Sequence, residues 1–319
     1  MEVLEVLQPG ALTTIQDRGR YGYQQYGVSV SGAMDKFSLR VANLLVGNDG
    51  GAAALEITVI GPKLKFLREL QIAITGGDLS PQINAVQAPM WQALDLKGGD
   101  VLSFGPPKSG CRAYLAISGG IDIPLIMGSH STHLLSKLGG LGRALAKGDV
   151  LEVKESKASC FRLNPAYRFP PDLIPVYGKE WMVRVVPGPQ SDYFTHRGIE
   201  TFLTSEYEIT PQADRMGYRL KGPKIKHKLG ADILTDATPP GSVQVPGDGM
   251  PIILLTDGQT TGGYSKIAVV ITIDQDRLGQ AKPGDKVRFQ KISVVQAQRV
   301  LKEQEDQIQK IKRAALLAV

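Results

Sequence analysis

Cysteine is scarce in this chain: its 319 residues include two, Cys111 and Cys160. Two thiols build no disulfide framework, and their spacing matches no zinc site. Aromatic residues make up 6% of the sequence. No uninterrupted apolar run reaches the roughly 20 residues that a membrane-spanning helix needs. The opening Met1-Glu-Val-Leu-Glu lacks the character of a signal peptide, so the expected compartment is the cytoplasm. The net charge is +6, from 37 Lys+Arg against 31 Asp+Glu. Its densest basic stretch, Lys221 to Lys228, is short and has no interleaved aromatics. It therefore reads as a solvated turn or a partner surface, and no nucleic-acid partner is expected.

Several catalytic signatures are also missing. Gly105-Pro-Pro-Lys108-Ser109-Gly110-Cys111 has the flavour of a phosphate loop without its closing Gly-Lys-Ser/Thr. The stretch Gly140-Leu-Gly142 lacks the third glycine of a dinucleotide fingerprint. His130 and His133 have no further ligands marked near them, so no metal site is expected. There is no Gly-x-Ser-x-Gly elbow. No Ala-Met-Lys-Met segment is present to carry attached biotin.

Glycine and proline are abundant instead, at 36 and 20 residues, and they break up short apolar runs. That pattern predicts many short strands and turns. Strands are expected at 2–7, 55–60, 64–66, 71–75, 81–86, 101–104 and 112–118. Further strands are expected at 182–186, 207–210, 219–220, 241–245, 252–256 and 267–273, with a helical turn at 277–280. The polar stretch from Thr13 to Gln24 reads as a long structured loop. Phe37, Val41, Leu44 and Leu45 recur at helical spacing between a natural cap, Asp35, and a natural stop, Gly47. Lys97-Gly-Gly-Asp100, Lys147-Gly-Asp149 and Lys282-Pro-Gly-Asp285 each read as a tight turn entering a strand. This recurrence hints at two related β-rich domains. The proline-rich stretch Asn164 to Trp181 reads as a connection. The division is then 1–165 for the first half, 166–181 for the connection, 182–292 for the second half and 293–319 for an amphipathic C-terminal helix.

Function is expected to concentrate in three glycine-bearing polar clusters. Ile252 to Leu255 has the length of a buried strand and delivers Gln259, Thr260 and Thr261, an amide and two hydroxyls suited to a small polar ligand. Asp214 beside Arg215 offers a base and a two-point carboxylate clamp, although such a pair standing alone reads first as a structural ion pair. The third cluster joins Gln16 to Arg20 with Ser31 to Asp35, at the start of the helix.

These residues carry a resemblance. The motifs PG-x-x-TT-x-QD-x-GR, GYQ, SGAMD, AYLAISGGID, PGPQ-x-D-x-F, DRMGYRL, GSVQVP and QTTGGY, spread over Pro9 to Phe289, resemble the KipA family. This is the biotin-dependent carboxyltransferase-like family, also called allophanate hydrolase subunit 2, which includes the C subunit of bacterial three-part 5-oxoprolinases. The resemblance implies a mainly β fold of two cyclophilin-like β-barrel domains with a few short helices. It implies two partner subunits, one KipI-like (the B component) and one LamB/YcsF-like (the A component). The implied activity opens 5-oxo-L-proline to L-glutamate with ATP, and with Mg2+ accompanying the ATP. Two alternatives come with the family: a binding protein that antagonises a KipI-like kinase inhibitor, and a carboxyltransferase subunit of a biotin-dependent urea or amide carboxylase. On this reading Asp214 and Asp35 are the catalytic candidates, and Arg215, Tyr218, Gln259, Thr260, Thr261 and Ser31 bind a small amide. The sequence departs from the family pattern at His130, where an arginine is expected.

Overall fold

The computed structural model describes residues 1–154 and 168–317, with side chains to 313. Cys160 and the first residues of the expected connection lie outside the described residues. The chain divides into two compact units. One comprises Met1–Arg20, Ser31–Tyr177 and Glu305–Val319, and the other Tyr21–Val30 and Gly178–Gln304. The division differs from a simple halving of the sequence in that residues 21–30 count with the second unit and the end of the C-terminal helix with the first.

Among the described residues the first unit holds eleven strands: β1 (Glu2–Gln8), β2 (Leu12–Gln16), β3 (Ala54–Thr58), β4 (Lys63–Phe66), β5 (Leu70–Asp78), β6 (Pro81–Ile83), β7 (Val86–Gln87), β8 (Ala93–Leu96), β9 (Val101–Phe104), β10 (Ser109–Ile117) and β11 (Val150–Glu152). They form a six-stranded sheet, β11-β1-β4-β9-β6-β7, and a five-stranded sheet, β2-β3-β10-β5-β8. The period-two alternation of strand side chains explains the layering. Ile72 and Ile74 of β5, with Ala113, Leu115 and Ile117 of β10, enter the core shared with Val3, Leu64 and Leu102 of the other sheet. Their neighbours Ala73, Tyr114 and Ala116 face the opposite way and pack with Leu39, Val41 and Leu45 of helix α1 (Lys36–Leu45). β5 and β10 are therefore buried on both faces. α1 starts where the sequence places it, with the Asp35 carboxylate accepting from Ser38 N at 2.9 Å. It ends at Gly47, whose φ of 72° suits glycine.

One expectation is corrected here. The loop predicted over 13–24 begins as strand β2, because Thr13 and Thr14 are buried and pair with Ile57 and Glu56 of β3. β-branched threonines on a half-buried pleat favour a strand whatever their polarity.

The second unit is a closed barrel. Its strands are β12 (Glu180–Pro187), β13 (Tyr207–Ala213), β14 (Gly217–Lys221), β16 (Ser242–Gln244), β17 (Ile252–Leu254), β19 (Lys266–Val270) and β20 (Lys286–Lys291), in the order β12-β19-β16-β17-β14-β13-β20. In β12, Trp181, Val183 and Val185 point inward while Met182 is exposed. A separate ribbon pairs β15 (Asp232–Ala237) with β18 (Thr261–Tyr264). Helix α2 (His196–Thr204), capped by Thr195, was not expected from the sequence. The predicted helical turn at 277–280 belongs to a helix that starts earlier, α3 (Thr272–Leu278). The long helix α4 (Val294–Leu317) forms as expected.

The recurring Gly-Asp element is one physical device used three times. Asp100, Asp149 and Asp285 each accept a hydrogen bond from the backbone N–H three residues earlier, at 2.7, 2.8 and 3.1 Å. Each is preceded by a glycine with φ between 87° and 97°, the conformation that only glycine takes without cost.

Candidate functional site

Three of the family-like motifs meet in the second unit through side chains that their sequence positions do not reveal. Lys266 opens β19 directly across from Gln244 of β16. Its side chain is 2% exposed, and its Nζ donates to Asp236 Oδ2 at 2.7 Å and to the Ala237 carbonyl at 3.0 Å. Gln190, in the turn after β12, ties the pair together. Its Nε2 donates to Asp236 Oδ2 at 3.2 Å and its Oε1 accepts from Lys266 N at 3.2 Å. Gln244 Nε2 reaches the Tyr264 carbonyl. The bond from Lys266, then the Ala237 N–H, then the Gln190 amide hold the Asp236 carboxyl below its ordinary range.

Close packing here depends on glycine at two positions. A Cβ on Gly188 would lie 2.3 Å from the Lys266 carbonyl oxygen, and one on Gly262 would lie 2.6 Å from Gln244 Nε2. Gly262 thus lets the β15–β18 ribbon lie against Gln244.

A cavity of about 250 Å³ adjoins this cluster, sharing Ala237 with it. Thr238 and Pro239 form one wall, Gln259 and Thr260 a second, and Gln24 and Ser29 a third. The loop is braced from behind. Thr238 N donates to the Thr260 carbonyl at 2.9 Å, Thr238 Oγ1 donates to the Gln259 carbonyl, and Ser29 Oγ donates to the Gly258 carbonyl at 2.8 Å. Among the described residues, the Gln259 amide and the Thr260 hydroxyl have no hydrogen-bond partner in the protein, so both are available to a ligand. A neutral amide and hydroxyl on the cavity wall can hold a small carbonyl compound and steady negative charge growing on its oxygen, while the Lys266–Asp236 pair stands behind Ala237, outside the lining.

The remaining candidates have other places. Thr261 is exposed and opens the ribbon strand β18. Arg215 is buried and meets Asp257 in a two-point pair at 2.8 and 3.1 Å, with Thr256 beside it. The guanidinium is thus engaged by Asp257 and not by Asp214, its neighbour in the sequence. Asp214 is exposed and closes a tight turn, accepting from Met216 N and Gly217 N at 2.8 and 3.1 Å. Tyr218 is buried in the barrel wall with its hydroxyl donating to the Ala281 carbonyl at 3.0 Å.

In the first unit Asp35 is buried as the α1 cap, and Oδ2 also accepts from Ser38 Oγ at 2.7 Å and Tyr177 OH at 3.1 Å. Ser31 is fully buried with φ 55°. The same buried network contains Tyr114, whose hydroxyl donates to Glu56 at 2.8 Å. Burial, then the charges of Glu56 and Asp35, push the Tyr114 phenol well above its usual range. Asp17 clamps the 129–131 loop, accepting from Ser129 Oγ at 2.7 Å, from His130 N at 2.6 Å and from Ser131 Oγ. His130 contributes its backbone to this clamp, so the exchanged side chain leaves that contact intact.

Among the described residues, no three or more His, Cys, Asp or Glu side chains are placed to hold a metal ion, and no helix is long and apolar enough to cross a membrane.

The model of the carboxyltransferase domain, subdomain A and B, matches residues 26–291. The chain belongs to this family. Among its carboxyltransferase-domain relatives, the 5-oxoprolinase C subunit of Escherichia coli (strain K12) is 39% identical over 308 residues, covering 96% of this chain and 95% of that one. Urea amidolyase of Saccharomyces cerevisiae is also 39% identical, over 95% of this chain but 17% of its own length. The crystal structure of the K. lactis urea amidolyase superposes with a TM-score of 0.92 at 36% identity, covering 97% of this chain and 20% of that one. The chain thus spans a small part of the urea amidolyases and nearly all of the bacterial subunit.

Proposed function

We propose that the chain is the C subunit of an ATP-dependent 5-oxoprolinase, opening 5-oxo-L-proline to L-glutamate together with KipI-like and LamB/YcsF-like partner subunits. The observation that carries this reading is the end-to-end match to the E. coli protein, which leaves almost none of either chain uncovered. The cavity supports it, because its free amide and hydroxyl suit a small cyclic amide.

In this reading the Gln259 amide and the Thr260 hydroxyl orient the lactam. Lys266, whose ammonium is held by Asp236 and the Ala237 carbonyl, braces the Ala237 side of the cavity from behind. Asp236 and Gln190 keep the lysine in place. Water adds to the carbonyl carbon, the ring C–N bond breaks, and the nitrogen leaves as an amine after taking a proton. ATP bound in the assembly supplies the free energy for ring opening. The described residues of this site offer neither a glycine-rich phosphate cradle nor a carboxylate set for Mg2+, so neither is assigned a step on this chain. The reading carries a cytoplasmic location, where ATP is at hand.

A second reading is a carboxyltransferase module acting on urea or another amide, with biotin carried by a different chain. The superposition on the K. lactis enzyme favours it. One experiment separates the two: the purified chain is combined with KipI-like and LamB/YcsF-like subunits, 5-oxo-L-proline and ATP, and glutamate and ADP are quantified. The expected result is matched formation of both, with Gln259→Leu lowering glutamate output by about 10²-fold while the complex still assembles. Unchanged output from Gln259→Leu overturns the site. ATP-dependent carboxylation of urea with an added biotin carrier, and no glutamate, overturns the lactam reading.

A further inference from the structure

A larger cavity, about 370 Å³, lies wholly within the first unit and plays no part in the reading above. Its construction is unusual in two ways. Between the pairs Ser109↔Asp78 and Ala113↔Gly76, β10 advances four residues while β5 advances two, so the central sheet is opened by a bulge at the cavity wall. Such bulges re-aim side chains next to functional sites. Trp91, also in the wall, has a φ of 60°, a conformation costly for a bulky residue that persists only where its surroundings enforce it. Its ring is fixed by Phe169 at 5.5 Å and Phe37 at 6.4 Å between centroids.

The lining divides into an apolar side and an acceptor side. Met90, Trp91, Ile174 and Pro175 give the first, and Asp78, Ser109 and Gln87 the second. Asp78 uses Oδ1 to cap Ser80 N at 2.8 Å, while its Oδ2 forms a loose ion pair with Lys108 at 4.0 Å, and the same ammonium donates to Gln87 Oε1 at 3.5 Å, so a bound cation would take the place of Lys108. Lys108 is 59% exposed on a flexible stem, so an exposed pair of this kind holds Asp78 weakly. The Ser109 hydroxyl makes no hydrogen bond among the described residues. A carboxylate oxygen held only by an exposed, displaceable lysine, a free hydroxyl and a fixed aromatic wall select for positively charged N–H donors on an apolar body.

We propose that this cavity binds a small organic cation, a primary ammonium or amidinium whose N–H groups reach Asp78 and Ser109 and whose hydrocarbon part packs on Met90, Trp91 and Ile174. Calorimetric titration of the full chain tests this with cyclohexylammonium and its neutral isostere cyclohexanol as probes. Saturable binding of the cation is expected, at least tenfold tighter than the alcohol. Asp78→Asn retains an acceptor for Ser80 N and is expected to lose at least tenfold in cation affinity. Ser109→Ala is expected to lose a few-fold, and Glu200→Gln, which lies on the second unit and lines no part of this cavity, nothing. Equal affinity for the two probes, cation binding unaltered in both Asp78→Asn and Ser109→Ala, or no saturable binding at all overturns the proposal. None of these results touches glutamate formation, so its failure is distinguishable from failure of the lactam reading.

Discussion

Replacing Arg215 by methionine removes the cation that faces Asp257 inside the second unit. The pair is close, at 2.8 and 3.1 Å, and its side chains are 5% and 6% exposed. At 2.8 Å and an effective dielectric of about 20, the gross attraction is about 6 kcal/mol, much of it offset by the desolvation of both ions. The mutation is dominated by what it leaves behind, a carboxylate buried without its partner, and this costs about 3–5 kcal/mol. A unit of this size loses about 4 °C per kcal/mol, so the thermal midpoint of its transition is expected to fall by about 12–20 °C. Differential scanning calorimetry reads the shift. The double replacement Arg215→Met/Asp257→Met is expected to recover most of the loss, because two well-packed apolar side chains leave no stranded charge. An Arg215→Met protein that melts at the parent temperature and is deficient only in substrate binding would refute the reasoning, and would restore Arg215 to the ligand.

Four further outcomes are expected, at two glycines and two carboxylates. Gly188→Ala pushes a methyl group into the Lys266 carbonyl and is expected to destabilise by about 1–3 kcal/mol in urea titrations. Gly262→Ala meets the buried Gln244 Nε2 at 2.6 Å and Thr238 Cγ2 at 3.1 Å, so it is expected to lower both turnover and the urea midpoint, the latter by about 1–3 kcal/mol. Asp285→Ala strands the Trp181 indole N–H, 3.1 Å from the carboxylate in the parent, and the N–H of Lys282. A loss of about 1–3 kcal/mol with altered tryptophan fluorescence is expected. The Arg40 guanidinium, bonded at 2.7 and 2.8 Å, pulls the Glu305 carboxyl from 4.5 down to about 2. Because the folded value is the lower one, its contribution is present above about pH 4.5 and is lost as pH falls through about 2. Glu305 is 44% exposed, so that contribution is on the order of 1 kcal/mol after solvent screening. The stability gap between the parent and Glu305→Gln is expected at pH 6 and closed at pH 2.

Local chemistry made part of this fold legible. Asp35 and Gly47 mark both ends of α1, and the Gly-Asp turns announce the strands after them. β2 was hidden because its threonines look like loop residues until a neighbouring strand buries them. α2 was hidden because Gly198 interrupts a short apolar pattern. Gln259 and Thr260 could be chosen as ligand groups because they sit on a glycine-rich loop after a buried strand. Lys266 could not, since one lysine heading an apolar strand carries no pattern. Its partner Asp236 lies thirty residues away and is brought to it by the ribbon. The pairing of Arg215 with Asp257 and of the Tyr218 hydroxyl with the Ala281 carbonyl was not legible either, because an arginine or tyrosine in a polar motif looks the same whatever it faces.

Residues 21–30 count with the second unit although the chain enters and leaves them from the first. No single cut in the gene therefore yields both parts whole. A fragment starting at Gly178 lacks the segment that supplies Gln24 and Ser29 to its cavity, and the complementary fragment carries that segment with nothing to receive it. Moving the second barrel into another protein therefore means carrying two separate pieces of chain, 21–30 and 178–304, and a transplant of the longer piece alone is short of one wall of its cavity.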